Sequence, residues 1–182
     1  RFIHRHKLEQ KLTTLAETLK AHAYKTIGYD IDSIGDGIDK GFDNFTSLNW
    51  RVINKIRRTI KKSIDWNYNE SKGEELTFFI RNQLVKNKNN KFFLYVHYDD
   101  LHHPYNPPPP FDHMFDKSYT GNHSFNDFKK ISRGDLIFNN KLPKDEIYHA
   151  IAHYDGMIRF IDIQIGKVIG YLHELNLMNN TI

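Results

Sequence analysis

The chain has 182 residues, of which 39% are hydrophobic, 14% aromatic and 26% charged. This is the profile of a globular protein long enough to bury a core, neither disordered nor collagenous. It has no cysteine, which excludes a disulfide framework, a thiolate zinc site and a cysteine nucleophile within these residues and fits either side of a membrane. The formal net charge of +4, from 26 basic and 22 acidic residues, permits an anionic partner without demanding one. No apolar run approaches the ~20 residues of a membrane-spanning helix.

The first element starts at Thr14. Thr14-Leu15-Ala16-Glu17 has the form of a capping box, a hydroxyl at the N-cap with a carboxylate three residues on. Leu12, Leu15, Ala16, Leu19 and Ala23 then recur at helical spacing, predicting one inward face. Residues 23–31 (AYKTIGYDI) predict a short strand, and the turn-rich stretch from Gly35 to Gly41 predicts a loop. From Ser47 to about Ile64, Leu48, Val52, Ile56 and Ile60 mark a second amphipathic helix, with Arg51, Lys55, Arg57, Arg58, Lys61 and Lys62 on its other faces. A basic helix of this kind can bind a polyanion, but a solvated outer face is the commoner meaning of such charge.

A third helix is predicted over 74–85, with Leu76, Phe79, Ile80 and Leu84 as its buried stripe. A polar stretch follows, then Phe92-Phe93-Leu94-Tyr95-Val96, apolar on successive residues as in a strand covered on both faces. Helix, turn and strand, twice over, predict an α/β fold with a mostly parallel sheet flanked by helices. Residues 106–142 are irregular and include four consecutive prolines, Pro107 to Pro110, which predict extended chain. After Pro143, Ile147, Ile151, Tyr154, Ile158, Ile161, Ile165, Val168, Leu172 and Leu175 alternate in steps of four and three. They predict one helix of roughly 30 residues, about 45 Å long. Gly156 and Gly166 inside it suggest close packing against another element. A further strand is expected at Thr181-Ile182, and no internal repeat is visible.

Chemistry concentrates in His97-Tyr98-Asp99-Asp100-Leu101-His102-His103-Pro104-Tyr105, immediately after the 92–96 strand. Ligands of open α/β sheets collect outside the carboxyl ends of the strands. Imidazoles there suit hydrogen bonding to an anionic oxygen or proton transfer near neutral pH. A second histidine pair, His149 and His153, has the i, i+4 spacing of a zinc site with Glu146 on the same side. Lying opposite the Ile147/Ile151 stripe, it is expected to be an exposed surface pair.

Three stretches, in order, resemble sulfatases of the alkaline phosphatase superfamily. Residues 14–26 (TLAETLKAHAYKT) with 41–45 (GFDNF) look like that family's "TLAE-LK-GY-T" and "GFD-F". Residues 92–108 (FFLYVHYDDLHHPYNPP) are similar to "FFLFVHFMDPHxPYxPP". Residues 154–181 (YDGMIRFIDIQIGKVIGYLHELNLMNNT) are similar to "YDxEIRYVDxQIGRLLDxLKELGLxDNT". The stretches 46–75 and 112–142 match poorly.

The resemblance implies that residues 1–182 are the central part of a sulfatase catalytic domain, truncated at both ends. It implies a sulfuric ester hydrolase acting on a sulfate ester, with His102 as the catalytic and substrate-binding histidine that contacts the sulfate group and assists departure of the alcohol, and His103, in the variable position after it, as a further substrate-binding residue. His97 matches a histidine in the strand's last turn and is expected to be structural. Calcium, or another divalent cation, and a formylglycine are implied for the full-length parent, none of them held by these residues. The formylglycine motif "C/S-x-P-x-R" and the first metal aspartates belong upstream, and "SDHG" belongs shortly after Ile182. By itself this piece is therefore expected to be inactive. Gly28 to Ser33 stands where many sulfatases carry "GKWHLG", with neither the lysine nor the histidine. The alternatives are a phosphoester or phosphonate hydrolase of the same superfamily, or a non-catalytic sulfatase-like protein. Neither nucleic-acid binding nor a membrane span is expected.

Overall fold

The structure is a computed structural model, and it describes residues 8–9, 11–31, 37–48, 72–102, 105–121 and 143–182. Its elements are α1 (Leu15–Ala21), β1 (Lys25–Ile31), β2 (Asn44–Leu48), α2 (Lys72–Asn87), β3 (Phe92–Val96) and α3 (Lys144–Glu174), closed by a 3-10 turn at Met178–Asn180. They fall into two compact units. The first gathers the described residues up to 48 with 78–98 and 171–182, and the second gathers 72–77 with 99–170.

In the first unit the capping box forms as predicted. The Glu17 amide donates to Thr14 Oγ1 at 3.1 Å and the Thr14 amide to Glu17 Oε2 at 2.8 Å, so two amides at the helix start are satisfied reciprocally. The helix is short. Ala23 adopts φ +64°, and the amides of Ala23 and Tyr24 donate back to the carbonyls of Lys20 and Leu19, the left-handed termination that sends the chain into β1. Of the predicted inward face Ala16 is buried, while Leu15 is exposed and Leu12 and Ala23 lie outside the helix.

β1 pairs in parallel with β2 on one side and β3 on the other, giving the order β2-β1-β3. The α/β class and the parallel sheet are as expected. Two details differ. Ser47 and Leu48, expected to open a helix, end β2 instead, in register with Asp30 and Ile31. The rest of that predicted basic helix lies outside the described residues. The fully covered strand is also β1, where Thr26, Ile27, Tyr29 and Asp30 are buried, whereas β3 is half-buried throughout. β1 is the middle strand here, so its backbone is paired on both sides and its side chains are covered from both faces.

Alternation along β1 sorts the cover. Ile27 and Tyr29 point to one face, where the Tyr29 and Phe79 rings lie 4.4 Å apart. Thr26, Gly28 and Asp30 point to the other face. There Phe42 packs against Phe45 at 5.2 Å and stacks on Phe93 at 5.7 Å. A Cβ on Gly28 would run into the Phe45 ring, so glycine at this position lets the aromatic cover close onto the strand. Asp43 stitches the unit together: its Oδ2 accepts the Thr26 amide at 2.9 Å and its Oδ1 meets Lys20 Nζ at 2.7 Å.

The second unit is built on most of α3, whose 31 residues match the predicted length. The stripe is rotated from the prediction. Glu146, His149, Ala150, Gly156, Met157, Phe160, Ile161 and Gln164 are buried, while Ile151, Ile158 and Ile165 are exposed. Apolar periodicity registers only the isoleucines. The loop 105–121 instead offers Asp116, Tyr119 and aromatic rings to the neighbouring face, where polar side chains of α3 find partners. Gly156 packs closely, as expected: its Cβ would meet the Phe111 carbonyl oxygen, with Pro107 Cγ at 3.1 Å. A Cβ on Gly166 would meet nothing within 4 Å among the described residues, which give this glycine no packing reason. The prolines are extended only at first, because the Phe111 amide donates to the Pro108 carbonyl in a turn containing a cis Pro109–Pro110 bond. Asn176, at φ +55°, ends α3, and Thr181-Ile182 carry no strand bonding.

Candidate functional site

At the carboxyl end of the sheet, β1 and β3 place an acid beside an imidazole. The His97 amide donates to the Tyr29 carbonyl at 3.2 Å, extending the β1–β3 ladder by one rung. The side chains of Asp30 and His97 therefore lie next to each other, with His97 Nδ1 2.8 Å from Asp30 Oδ1. Asp30 is wholly buried and its Oδ2 has no hydrogen-bond partner among the described residues, while the His97 side chain is 30% exposed. Tyr95 lies two residues before His97 on the same face of the sheet. Burial, and then the charge of Asp30, push its phenol above the ordinary range.

The loop that follows belongs to the second unit. Asp99 pairs with Lys72 Nζ at 3.2 Å, and Asp100 Oδ1 accepts the Gly73 amide at 3.0 Å, so both carboxylates are tied to the first turn of α2. Burial pushes the Asp100 carboxyl up, against the opposing pull of the Gly73 amide and Lys72. The His102 amide donates to the Asp99 carbonyl at 3.0 Å, closing a turn that leaves His102 exposed. His103 lies outside the described residues.

The His149/His153 pair is not the exposed surface pair expected. His149 is buried, its ring stacked 3.6 Å from that of Tyr119 and its Nδ1 3.1 Å from Asp116 Oδ2. Tyr119 donates its hydroxyl to Glu146. His153 Nδ1 meets the Tyr105 carbonyl at 3.3 Å, and its ring lies edge-on to His149 at 4.4 Å. Burial holds His153 below the usual imidazole range, although the Tyr105 carbonyl pulls the other way. These contacts pin the loop 105–121 onto α3. Among the described residues, no group of three or more His, Asp or Glu side chains is placed to hold a metal ion.

Sequence reasoning singled out the 97–105 loop but missed Asp30 and the anchoring by Asp100. A carboxylate near the end of the predicted 23–31 strand, between Tyr29 and Ile31, was the available signal for Asp30, because such a group is buried only with a partner.

The family model for Sulfatase matches residues 2–182. The chain belongs to the sulfatase family. Two solved structures share its fold: Ps i-CgsB alone, with a TM-score of 0.53, and Ps i-CgsB in complex with k-i-k-neocarrahexaose, with a TM-score of 0.51. Each is 17% identical, and each match covers 89% of this chain and 36% of the other. The sulfatase chain described here thus spans about a third of the length of those structures. No curated protein matches it. The partial α/β fold, with a parallel sheet, flanking helices and a long helix near the C-terminus, is the one expected of a sulfatase segment.

Proposed function

We propose that this chain is the central part of a sulfuric ester hydrolase and that His102 contacts the sulfate group of its substrate. The family match over residues 2–182 carries the reading. His102 supports it locally, as an exposed imidazole on a turn whose two neighbouring carboxylates are tied down by Lys72 and Gly73. A loop held in this way presents a side chain in a defined orientation, and an imidazole N–H is a fitting donor to a sulfate oxygen. His103 is assigned a secondary substrate contact.

Among the described residues, no three candidate ligands converge on a divalent-cation site. Nor does the chain carry a "C/S-x-P-x-R" segment for a formylglycine. We assign both to parts of the parent protein outside residues 1–182, and this chain alone is proposed to be inactive.

The test uses the full-length protein with p-nitrophenyl sulfate and p-nitrophenyl phosphate. Preferential turnover of the sulfate is expected, and His102→Ala is expected to lower kcat by roughly 10²-fold. Preference for the phosphate would move the protein to the phosphoester hydrolases, and an unchanged His102→Ala rate would remove His102 from the site. A non-catalytic sulfatase-like protein is the second reading, favoured by the absence of lysine and histidine from Gly28 to Ser33. Turnover of neither ester would establish it.

A further inference from the structure

We propose that His149 and His153 fasten the loop 105–121 to α3 as an acid-sensitive clasp, which loosens when a proton on His153 brings a cation into the space beside His149. All of these residues belong to one compact unit, and the clasp is independent of the sulfate-ester reading.

The loop is held at three places. At its start the Tyr105 carbonyl lies 3.3 Å from His153 Nδ1, and the Tyr105 ring packs edge-on against Tyr154, 5.1 Å away. At its middle the Phe111 ring meets Phe160 edge-on at 5.7 Å, and the Phe111 carbonyl oxygen sits over Gly156, where a Cβ would collide with it. At its end Asp116 Oδ2 lies 3.1 Å from His149 Nδ1, the Tyr119 ring stacks on His149, and the Tyr119 hydroxyl donates to Glu146. The middle fastening has no titratable group. Both outer ones run through an imidazole.

Those two imidazoles stand one helical turn apart, with ring centroids 4.4 Å from each other. His149 is buried and His153 half-buried. A cation in such a place loses hydration, and a second cation at that separation adds repulsion.

The groups that face His153 are the Tyr105 carbonyl, Asp112 and His113 from the loop and His149 from its own helix. Asp116 and Tyr119 face His149, with Glu146 behind the Tyr119 hydroxyl. Burial above all, then His149 and His113, opposes a proton on His153. The Tyr105 carbonyl and Asp112 favour one, and the balance holds this imidazole below its ordinary value of 6.5.

A folded value below 6.5 means that the closed loop binds fewer protons than the open one. Closure is therefore fully favoured above 6.5 and weakens as pH falls from there. Each further pH unit raises the open population by up to about 10-fold, until the closed form also takes the proton. The clasped segment starts three residues after His102, so acid loosens the chain next to the exposed histidine turn.

Hydrogen–deuterium exchange of the full-length protein tests the clasp, read by mass spectrometry at about pH 7.5 and about pH 5 and corrected for the intrinsic rate of open amides. Wild-type amides of residues 111–121 are expected to lose about 10-fold in protection in acid, while those of β1 and β3 keep theirs. His153→Asn places an amide nitrogen near the position of Nδ1, takes no proton in this range and has a helix propensity close to that of histidine. Its loop is expected to show the same protection at both pH values, within about 2-fold. Asp116→Asn keeps an acceptor for His149 but removes a negative charge from the cluster, and its loop is expected to loosen at a higher pH than the wild type. If circular dichroism shows His153→Asn unfolded, His153→Gln takes its place. Wild-type protection unchanged between the two pH values would overturn the clasp. So would a loss shared by β1 and β3, or an equal loss in the wild type and the His153 variant.

Discussion

The Asp100 carboxylate accepts the backbone amide of Gly73, 27 residues earlier in the chain, at 3.0 Å, while its other oxygen is buried with no partner among the described residues. Burial pushes this carboxyl above its ordinary pKa of 3.8. In the window upward from 3.8 the folded chain still holds a proton that the unfolded chain has released, so this group lowers stability as pH rises through that window. Asp100→Asn keeps an Oδ1 acceptor for Gly73 and carries no charge. Its melting temperature is expected to exceed that of the wild type at neutral pH, with the gap closing in acid. A wild type that is the more stable protein at neutral pH would show that the contact with Gly73 outweighs the burial of charge.

Asp43 behaves in the opposite sense. The Lys20 ammonium and then the Thr26 amide lower its carboxyl from 3.8 to about 2. The stabilisation is therefore complete above the unfolded value of 3.8 and is lost as pH falls from there through about 2. The urea midpoint of the wild type is expected to lie above that of Asp43→Asn near neutrality and to converge with it by about pH 2. A difference independent of pH would assign the effect to packing rather than to charge.

The two central glycines of α3 predict opposite outcomes for the same substitution. Gly156→Ala drives a methyl into the Phe111 carbonyl oxygen, a backbone atom that has no rotamer to escape with. A loss of about 1–3 kcal/mol is expected. Gly166→Ala meets nothing within 4 Å among the described residues and is expected to gain up to about 1 kcal/mol from helix propensity. Thermal melts of the two variants check both signs at once, and equal shifts would contradict the packing of α3 described above.

How much was legible can be followed element by element. The capping box at Thr14 and Glu17, the β3 run at 92–96 and the length of α3 are local properties, and each appears where its pattern predicted it. β2 was illegible because Ser47 and Leu48 also suit the first turn of a helix. What makes them strand is their pairing with Asp30 and Ile31 of β1. The orientation of α3 was illegible for a related reason: its isoleucines mark one face, but Asp116 and Tyr119 of the loop determine which face is buried.

The residue order alone determined that the chain alternates helix and strand, that it resembles sulfatases, and that a histidine-rich loop follows a strand. These features follow from backbone propensity and apolar spacing, which act over a few residues at a time. Tertiary structure alone decided that Asp30 and His97, 67 residues apart, become hydrogen-bond partners, and that His149 is buried rather than exposed. Both depend on which partner offers a donor or acceptor where water has been removed, and no periodicity within a single element encodes that.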